Sequence, residues 1–476
     1  MDNWILKRAL ISPNKIAVRD NTHQISFLQL KTIVGRIVSK LGNLIPLNEK
    51  RIAIITDNNI LGYLMSLSII SFGASIVFLN KRLSNAELNW QLNNAGVRYC
   101  LIDDLCLKKV NLNCNVIYFN DIKTSNSNPK VKLKEKFDVN DIASIMFTSG
   151  TTGFSKACLQ SFKNHLSSAI STGINLNLSS DDEWLCVVPI FHISGFSIIL
   201  RGLIYGFSVR LVNHFNENDI NNILSVEPIT IISVVPYMLR KMLNKLTTTY
   251  QNKFRFMFVG GAPIDKFTLH KCLLNKIPVV QSYGMTETCS NIISLNFDSI
   301  ENKLGSIGKP LFLTQYKLGK DNELLIKTPA LISGYLNCNI NKYLSNGWYR
   351  TGDIAHVDKE GFIYIDGRKS ELIISGGENI FPSEIENVLL KKDNIVNVAV
   401  IGLQDEKWGE VPVAFVQYEG DLNKRDLVEY CKKEIGEYKI PKKFYKVDCL
   451  PINSSGKLQK FKIKEFLNDF ISNEIK

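Results

Sequence analysis

The chain has 476 residues, 45% of them hydrophobic and 21% charged, a balance that excludes intrinsic disorder and gives room for more than one domain. Its formal charge of +12 would suit a nucleic-acid partner, but the lysines are scattered and no nucleic-acid-binding motif is present. The charge is read as a solvated basic surface that helps gather anions.

The ten cysteines show no CxxC pair, which argues against a zinc site or a disulfide framework and for a reducing, cytoplasmic setting. At the start, Met1 to Lys7 lacks the basic opening and apolar core of a signal peptide, so export is not expected. From Ile60 to Leu79 the chain runs without a charge, long enough to cross a bilayer. Gly62, Ser66, Ser68, Ser71, Gly73 and Ser75 dilute its apolarity. The expectation is a buried helix from about Asn58 to Phe72, stopped by Gly73, then a strand from Ser75 to Leu79, with no stable membrane insertion.

From Arg51 onward, β-rich runs alternate with helical patterns: Arg51 to Ile55, Ser75 to Leu79, Tyr99 to Ile102, Trp184 to Val188, Ser208 to Val212, Thr230 to Val234 and Phe254 to Val259. That alternation predicts an α/β fold with largely parallel sheets. Lys123 to Lys136 reads as a surface loop. After Asp353 the pattern changes: a strand over Phe362 to Ile365, a turn over Asp366 to Lys369, a strand over Glu371 to Ile374 ending at Gly376-Gly377, and a helix from Pro382. Strands over Val396 to Ile401 and Val413 to Tyr418 follow. The expected division is a large domain over 1–366 and a small mobile α+β domain over 367–476.

The densest chemistry follows the apolar run Ile142 to Phe147: Thr148-Ser149-Gly150-Thr151-Thr152-Gly153-Phe154-Ser155-Lys156. Glycines there let backbone N–H groups turn inward, the hydroxyls add donors, and Lys156 adds a mobile positive charge, a combination suited to a nucleotide triphosphate. It is not the commoner phosphate loop, since Phe154 and Ser155 separate Gly153 from Lys156. By itself such a stretch also reads as a polar surface turn.

Six further motifs follow it: Pro189 to Gly195, Gly260-Gly261-Ala262-Pro263, Tyr283-Gly284-Met285-Thr286-Glu287-Thr288, Trp348 to Asp353, Asp366 to Glu386, and Pro451 to Lys457. Their joint order closely resembles the adenylate-forming (AMP-binding) superfamily of acyl-CoA synthetases, luciferases and peptide-synthetase adenylation domains. The resemblance implies a large α/β N-terminal domain, a small mobile C-terminal one, and a ligase that makes an acyl-adenylate from ATP and then a thioester with coenzyme A.

It further implies that Thr148, Ser149, Gly150, Thr151, Thr152 and Lys156 hold the outer phosphates, and that Glu287 helps hold Mg²⁺, a hard cation suited to an oxygen ligand. Tyr283 is expected to stack on adenine beside Gly260, Gly261 and Ala262, with Gly284 and Thr286 in the same wall. Asp353 is expected on the ribose, and Arg368 on ribose or phosphate. Read one by one, Tyr283 could equally be a core aromatic, Asp353 a turn former and Arg368 a surface charge. Lys457 is expected to stabilise the carboxylate and α-phosphate, acting with Glu287 and Thr148.

His192 is assigned to the acyl-pocket wall with Ser194, Arg201 and Thr288. Ser194 and Arg201, seven apart after His192, are similar to the pattern of the o-succinylbenzoate–CoA ligases of menaquinone biosynthesis. A dicarboxylate needs a second anion partner away from ATP, and an arginine fork supplies one. The pivot of the small domain is placed at Ser370, where the family commonly has Asp or Lys, and Gly376 and Gly377 are expected to approach the thiol tunnel. The alternatives are a medium-chain or aryl acyl-CoA synthetase and a non-catalytic nucleotide-binding protein. The partners are small molecules, and the chain is compatible with a homo-oligomer.

Overall fold

The computed structural model describes residues 1–106, 111–148, 155–392, 394–452, 458–465 and 473–475. Ser149, Gly150, Thr151, Thr152 and Lys457 lie outside them.

Two large sheets carry the N-terminal part. The first has nine strands with a parallel centre, in spatial order Val279–Met285, Phe256–Val259, Ile231–Val234, Glu183–Cys186, Ser208–Leu211 and Ile16–Arg19, and antiparallel strands at both edges. The second has seven strands: Ile142–Phe147, Ser75–Phe78, Arg51–Ile55, Tyr99–Ile102 and Asn115–Tyr118 run parallel, while Ala157–Ser161 and Gly334–Tyr335 add antiparallel. These strands are parallel because they can be: Ile52 to Ile55, Ile76 and Val77 are fully buried, covered on both faces by helices. One continuous core joins both sheets through the helices Phe27–Leu44, Ile60–Phe72 and Ile193–Tyr205.

The uncharged segment resolves into a helix and a strand. Asn59 caps Ile60–Phe72 by accepting from the Gly62 N–H, and Gly73 ends it in the left-handed region at φ 104°. Its 13 residues span roughly 20 Å, short of a ~30 Å hydrocarbon core. Among the described residues no helix is long and apolar enough to cross a membrane.

An antiparallel five-stranded sheet containing Glu323–Lys327, Trp348–Val357 and Ile363–Arg368 closes the large part. Beyond it, Ile373–Ser375, Glu378–Ile380, Ile395–Asp405, Gly409–Tyr418 and Lys443–Lys446 form a second five-stranded sheet, on which the helices Pro382–Leu389 and Lys424–Glu434 pack. The buried residues of this smaller part form cores of their own. A large α/β part rich in parallel strands and a small α+β part are the fold class the sequence predicts.

Two local expectations are corrected. Asp366 to Arg368 do not turn. Ile363–Arg368 stays in strand because Trp348–Val357 pairs with it to its end, Asp353 opposite Arg368 and Ile354 opposite Gly367. The chain bends only afterwards, in the short 3₁₀ turn Lys369–Glu371 that holds Ser370. The helix carrying Arg201, which the nearly all-apolar run Ser197 to Tyr205 predicts, begins earlier, at Ile193, since the His192 carbonyl accepts from the N–H groups of Gly195 and Phe196.

Candidate active site

Most of the motif residues converge where the parallel strands of the nine-stranded sheet end, the usual place for a ligand in an open α/β sheet. A cavity of about 130 Å³ there is lined by His192, Ser194, Arg201, Gly260, Gly261 and Thr286, among others. A larger cavity of about 350 Å³ sits at the opposite ends of Arg51–Ile55 and Ser75–Phe78 and contains none of these residues.

The glycine of the Tyr283 motif is required by close approach. A Cβ at Gly284 would lie 2.1 Å from the Ser290 carbonyl oxygen, so any side chain there would push apart the strands Val279–Met285 and Ser290–Ser294. Between those strands Thr286–Thr288 makes one 3₁₀ turn, left through Cys289 and Ser290 at φ 50° and 104°. Thr288 is fully buried, and its hydroxyl accepts from the Met285 N–H at 3.0 Å and donates to the Ser290 carbonyl at 2.7 Å. In this arrangement Thr288 braces the turn that presents Glu287.

Gln160, on the strand Ala157–Ser161, and the helix Phe162–Leu176 that follows it hold the same turn and the neighbouring segment 329–331 from behind. Gln160 donates to the Thr286 carbonyl at 2.8 Å, Ser168 to the Cys289 carbonyl at 2.7 Å, and Asn164 to the carbonyls of Pro329 and Leu331 at 2.9 and 2.7 Å. Sequence reasoning missed this support. The signal was present, because Asn164, Ser168 and Thr172 recur every fourth residue and so lie along one face of the helix.

Around Tyr283, Asp353 and Arg368 the charged groups hold one another. Tyr283 donates its hydroxyl to Asp353 at 2.5 Å, and the Arg368 Nε meets the other Asp353 oxygen at 2.8 Å. Burial, then the Asp353 charge, raises the Tyr283 phenol well above its ordinary range. Burial pulls the Arg368 guanidinium down, but Asp353, Tyr283, Glu371 and Glu287 outweigh it and hold it above its ordinary value. Glu287 accepts from the Tyr335 hydroxyl at 2.9 Å. Lys156 lies with its ammonium 4.2 Å from the Tyr343 ring centre and 5.6 Å from that of Tyr335. Thr148 and Lys156 clasp the two ends of their loop, the Thr148 N–H donating to the Lys156 carbonyl at 2.9 Å.

Arg201 dominates the other end. It is 2% exposed, stands 5.7 Å over the Trp184 ring, and donates through Nη2 to Asn291 Oδ1 at 2.9 Å and Thr172 Oγ1 at 3.1 Å. Both partners are neutral, and no carboxylate among the described residues pairs with it. Its Nε and the Asn291 amide nitrogen are buried without a hydrogen-bond partner. Burial lowers the Arg201 pKa to about 9. The adjacent His165, fully enclosed, is driven down to about 3 by burial and by Arg201, and as a neutral ring it bonds Ser144 at 2.8 Å. His192 stands at the position just before the helix Ile193–Tyr205, without a side-chain bond to its first turn, and its ring is 4.7 Å from that of Phe191.

Gly376 and Gly377 lie away from this cavity in the hairpin turn between Ile373–Ser375 and Glu378–Ile380, at φ 58° and 89°. The Gly376 N–H donates to the Trp408 carbonyl at 2.8 Å, and a Cβ on Gly376 would lie 2.8 Å from the Trp408 ring.

Glu287 fits a magnesium ion that arrives with a nucleotide. It is a single hard-oxygen ligand, and among the described residues no group of three or more His, Cys, Asp or Glu could hold a metal without substrate oxygens.

A family model described as AMP-binding enzyme matches residues 6–336, and one described as AMP-binding enzyme C-terminal domain matches residues 384–457. The chain is 40% identical over 467 residues to the 2-succinylbenzoate–CoA ligase of Listeria monocytogenes, covering 98% of this chain and 99% of that one. Among solved structures, the o-succinylbenzoate coenzyme A synthetase of Bacillus subtilis in complex with its acyl-adenylate intermediate matches with a TM-score of 0.91 at 34% identity, over 98% of each chain. The same synthetase in complex with ATP and magnesium ion matches with a TM-score of 0.91 at 34% identity, over 98% of this chain and 99% of that one.

Proposed function

This chain belongs to the AMP-binding enzyme family, and from that premise we propose that it joins 2-succinylbenzoate to coenzyme A at the expense of ATP, in menaquinone biosynthesis. The reaction runs in two steps. The carboxylate attacks the α-phosphate and diphosphate leaves; the thiol then attacks the acyl carbonyl and AMP leaves.

Neither step needs the protein to form a covalent bond. What the residues supply is position and charge. Asp353, already an acceptor for Tyr283, takes the ribose hydroxyls, with Arg368 beside it. Tyr283 and the Gly260-Gly261-Ala262 backbone flank the adenine. The loop from Thr148 to Lys156, including Ser149, Gly150, Thr151 and Thr152, takes the outer phosphates. Magnesium, when bound with the nucleotide at Glu287, neutralises phosphate charge. Lys457 is assigned to the reacting carboxylate and α-phosphate. The small part, divided from the large one near residue 366 and pivoting around Ser370, is assigned the exchange between the two steps. The compartment that suits ATP and coenzyme A as cosubstrates is the cytoplasm.

The observation that carries the choice of acid is Arg201, a buried cation with neutral partners only, in the wall of the cavity that runs to Gly260 and Gly261. A second carboxylate supplies the missing counter-charge, directly or through water, with Ser194 and His192 beside it. The test is a panel of acids assayed for diphosphate release and thioester formation. 2-Succinylbenzoate should be converted and simple benzoic or medium-chain acids should not. Turnover of the monocarboxylic acids with none of 2-succinylbenzoate would replace this reading with a general acyl-CoA synthetase.

A further inference from the structure

Between Lys156 and Glu287 stands a cluster of three tyrosines, of which Tyr349 alone belongs to a motif and none has yet been given a role. Tyr335 lies in the two-residue strand Gly334–Tyr335, opposite Cys158 on Ala157–Ser161, so its ring is pinned beside the phosphate loop's own strand. It is 5% exposed. Its hydroxyl is 2.9 Å from a Glu287 oxygen and 2.9 Å from the Tyr349 hydroxyl. Tyr343 meets the Tyr335 ring edge-on at 5.4 Å and carries the Lys156 ammonium on its face.

The protons on this cluster can be counted. A carboxylate only accepts, so the single hydroxyl proton of Tyr335 goes to Glu287. Tyr335 then has none left for Tyr349, and Tyr349 must donate to the Tyr335 oxygen. The result is a directed chain, Tyr349 to Tyr335 to Glu287. A phenol carries its proton near neutrality, so the direction holds there. A hydroxyl that itself accepts a bond is a stronger donor.

From this geometry we infer that Tyr335, backed by Tyr349, is a positioning residue that fixes the Glu287 carboxylate toward the metal–polyphosphate side of the site. The ring of Tyr335, with Tyr343, stores Lys156 over aromatic faces, from which a phosphate draws the ammonium more easily than from a carboxylate. The inference rests on the proposed role of Glu287 in holding magnesium.

The test uses the full-length enzyme in the diphosphate-release assay, with magnesium varied at fixed ATP. Tyr335→Phe removes only the hydroxyl and keeps the ring under Lys156. It should raise the magnesium concentration for half-maximal rate about 10-fold, as for the loss of a hydrogen bond to a charged group. Tyr349→Phe, one bond further away, should raise it about threefold. The KM for 2-succinylbenzoate and thioester formation from preformed acyl-adenylate should stay within twofold in both. Glu287→Gln run alongside separates the two claims. If it shifts the magnesium requirement and Tyr335→Phe does not, the positioning chain is wrong. If Glu287→Gln leaves the requirement unmoved, the magnesium role of Glu287 fails first. Equal loss of magnesium response, acid KM and thermal midpoint in Tyr335→Phe would reduce the tyrosine to core packing and overturn the inference.

Discussion

The two ends of the cleft handle charge in opposite ways. At the nucleotide end, Asp353 is paired with Arg368 and Tyr283, Glu287 with Tyr335, and Lys156 with two aromatic faces. At the acid end, among the described residues, Arg201 has only a hydroxyl and an amide oxygen as acceptors, and its own Nε and the Asn291 amide nitrogen have no partner. The first arrangement is an exchange of partners: groups that hold one another are ready to take a ligand carrying several charges. The second is a deficit, which an anion of matching size relieves. On the roles proposed above, the nucleotide end would serve any acid, and selectivity would fall to Arg201 and its neighbours.

The strongest way to break the comparison is to remove the cation proposed for the reacting carboxylate. If the reacting carboxylate depends on Lys457, Lys457→Ala should lower the adenylation rate by ~10² to 10³, as for a lost oxyanion donor. Thioester formation from preformed acyl-adenylate should survive. Equal loss in both half-reactions of a folded variant would show that Lys457 is not specific to the first.

Removing the deficit itself is the next step. Arg201→Leu should raise the KM for 2-succinylbenzoate at least ~10-fold, the effect of one charged hydrogen bond, while the KM for ATP stays put. A parallel rise in both constants would mean that the two ends are not independent.

Ser370→Pro probes the pivot proposed for the small part. Proline fixes φ in the Lys369–Glu371 turn, and should slow thioester formation about fivefold more than adenylation if the exchange pivots there. Unchanged rates for both steps would move the pivot elsewhere.

The smallest expected effect is on stability. His165 is held neutral at the acid end, its pKa near 3 against 6.5 when unfolded. Between those values the unfolded chain binds a proton that the folded one does not, so its contribution to stability is full above pH 6.5 and declines as the pH falls toward 3. Acidifying from pH 7 to 5 should cost about 2 kcal/mol through this group. His165→Gln should flatten that limb of the thermal midpoint against pH. An unaltered slope would show that His165 takes up a proton without unfolding.

What the sequence revealed depended on how local the cause was. Strands such as Arg51–Ile55 and the helix cap at Gly73 were legible because apolar runs and a left-handed glycine act within a few residues. The extension of Ile363–Arg368 through Asp366 and Gly367 was not, since turn-forming residues were kept in strand by a partner ten or more positions away. In the site, charged residues inside motifs could be named. The roles of the tyrosines at 335, 343 and 349 could not, although Tyr349 lies inside the Trp348 to Asp353 motif, because nothing local marks a cluster whose central hydroxyl meets a carboxylate 48 positions away.

The hairpin turn at Gly376-Gly377 brings an optical consequence. Of the five tryptophans, Trp408 alone lies beyond residue 371, and its ring rests on that turn while 43% exposed. Whatever surrounds the turn surrounds the indole. A seat in a dry tunnel shifts its emission toward the blue, and return to water shifts it back. With the other four replaced by phenylalanine, the colour of the emission would follow, turnover by turnover, the movement proposed for the smaller part.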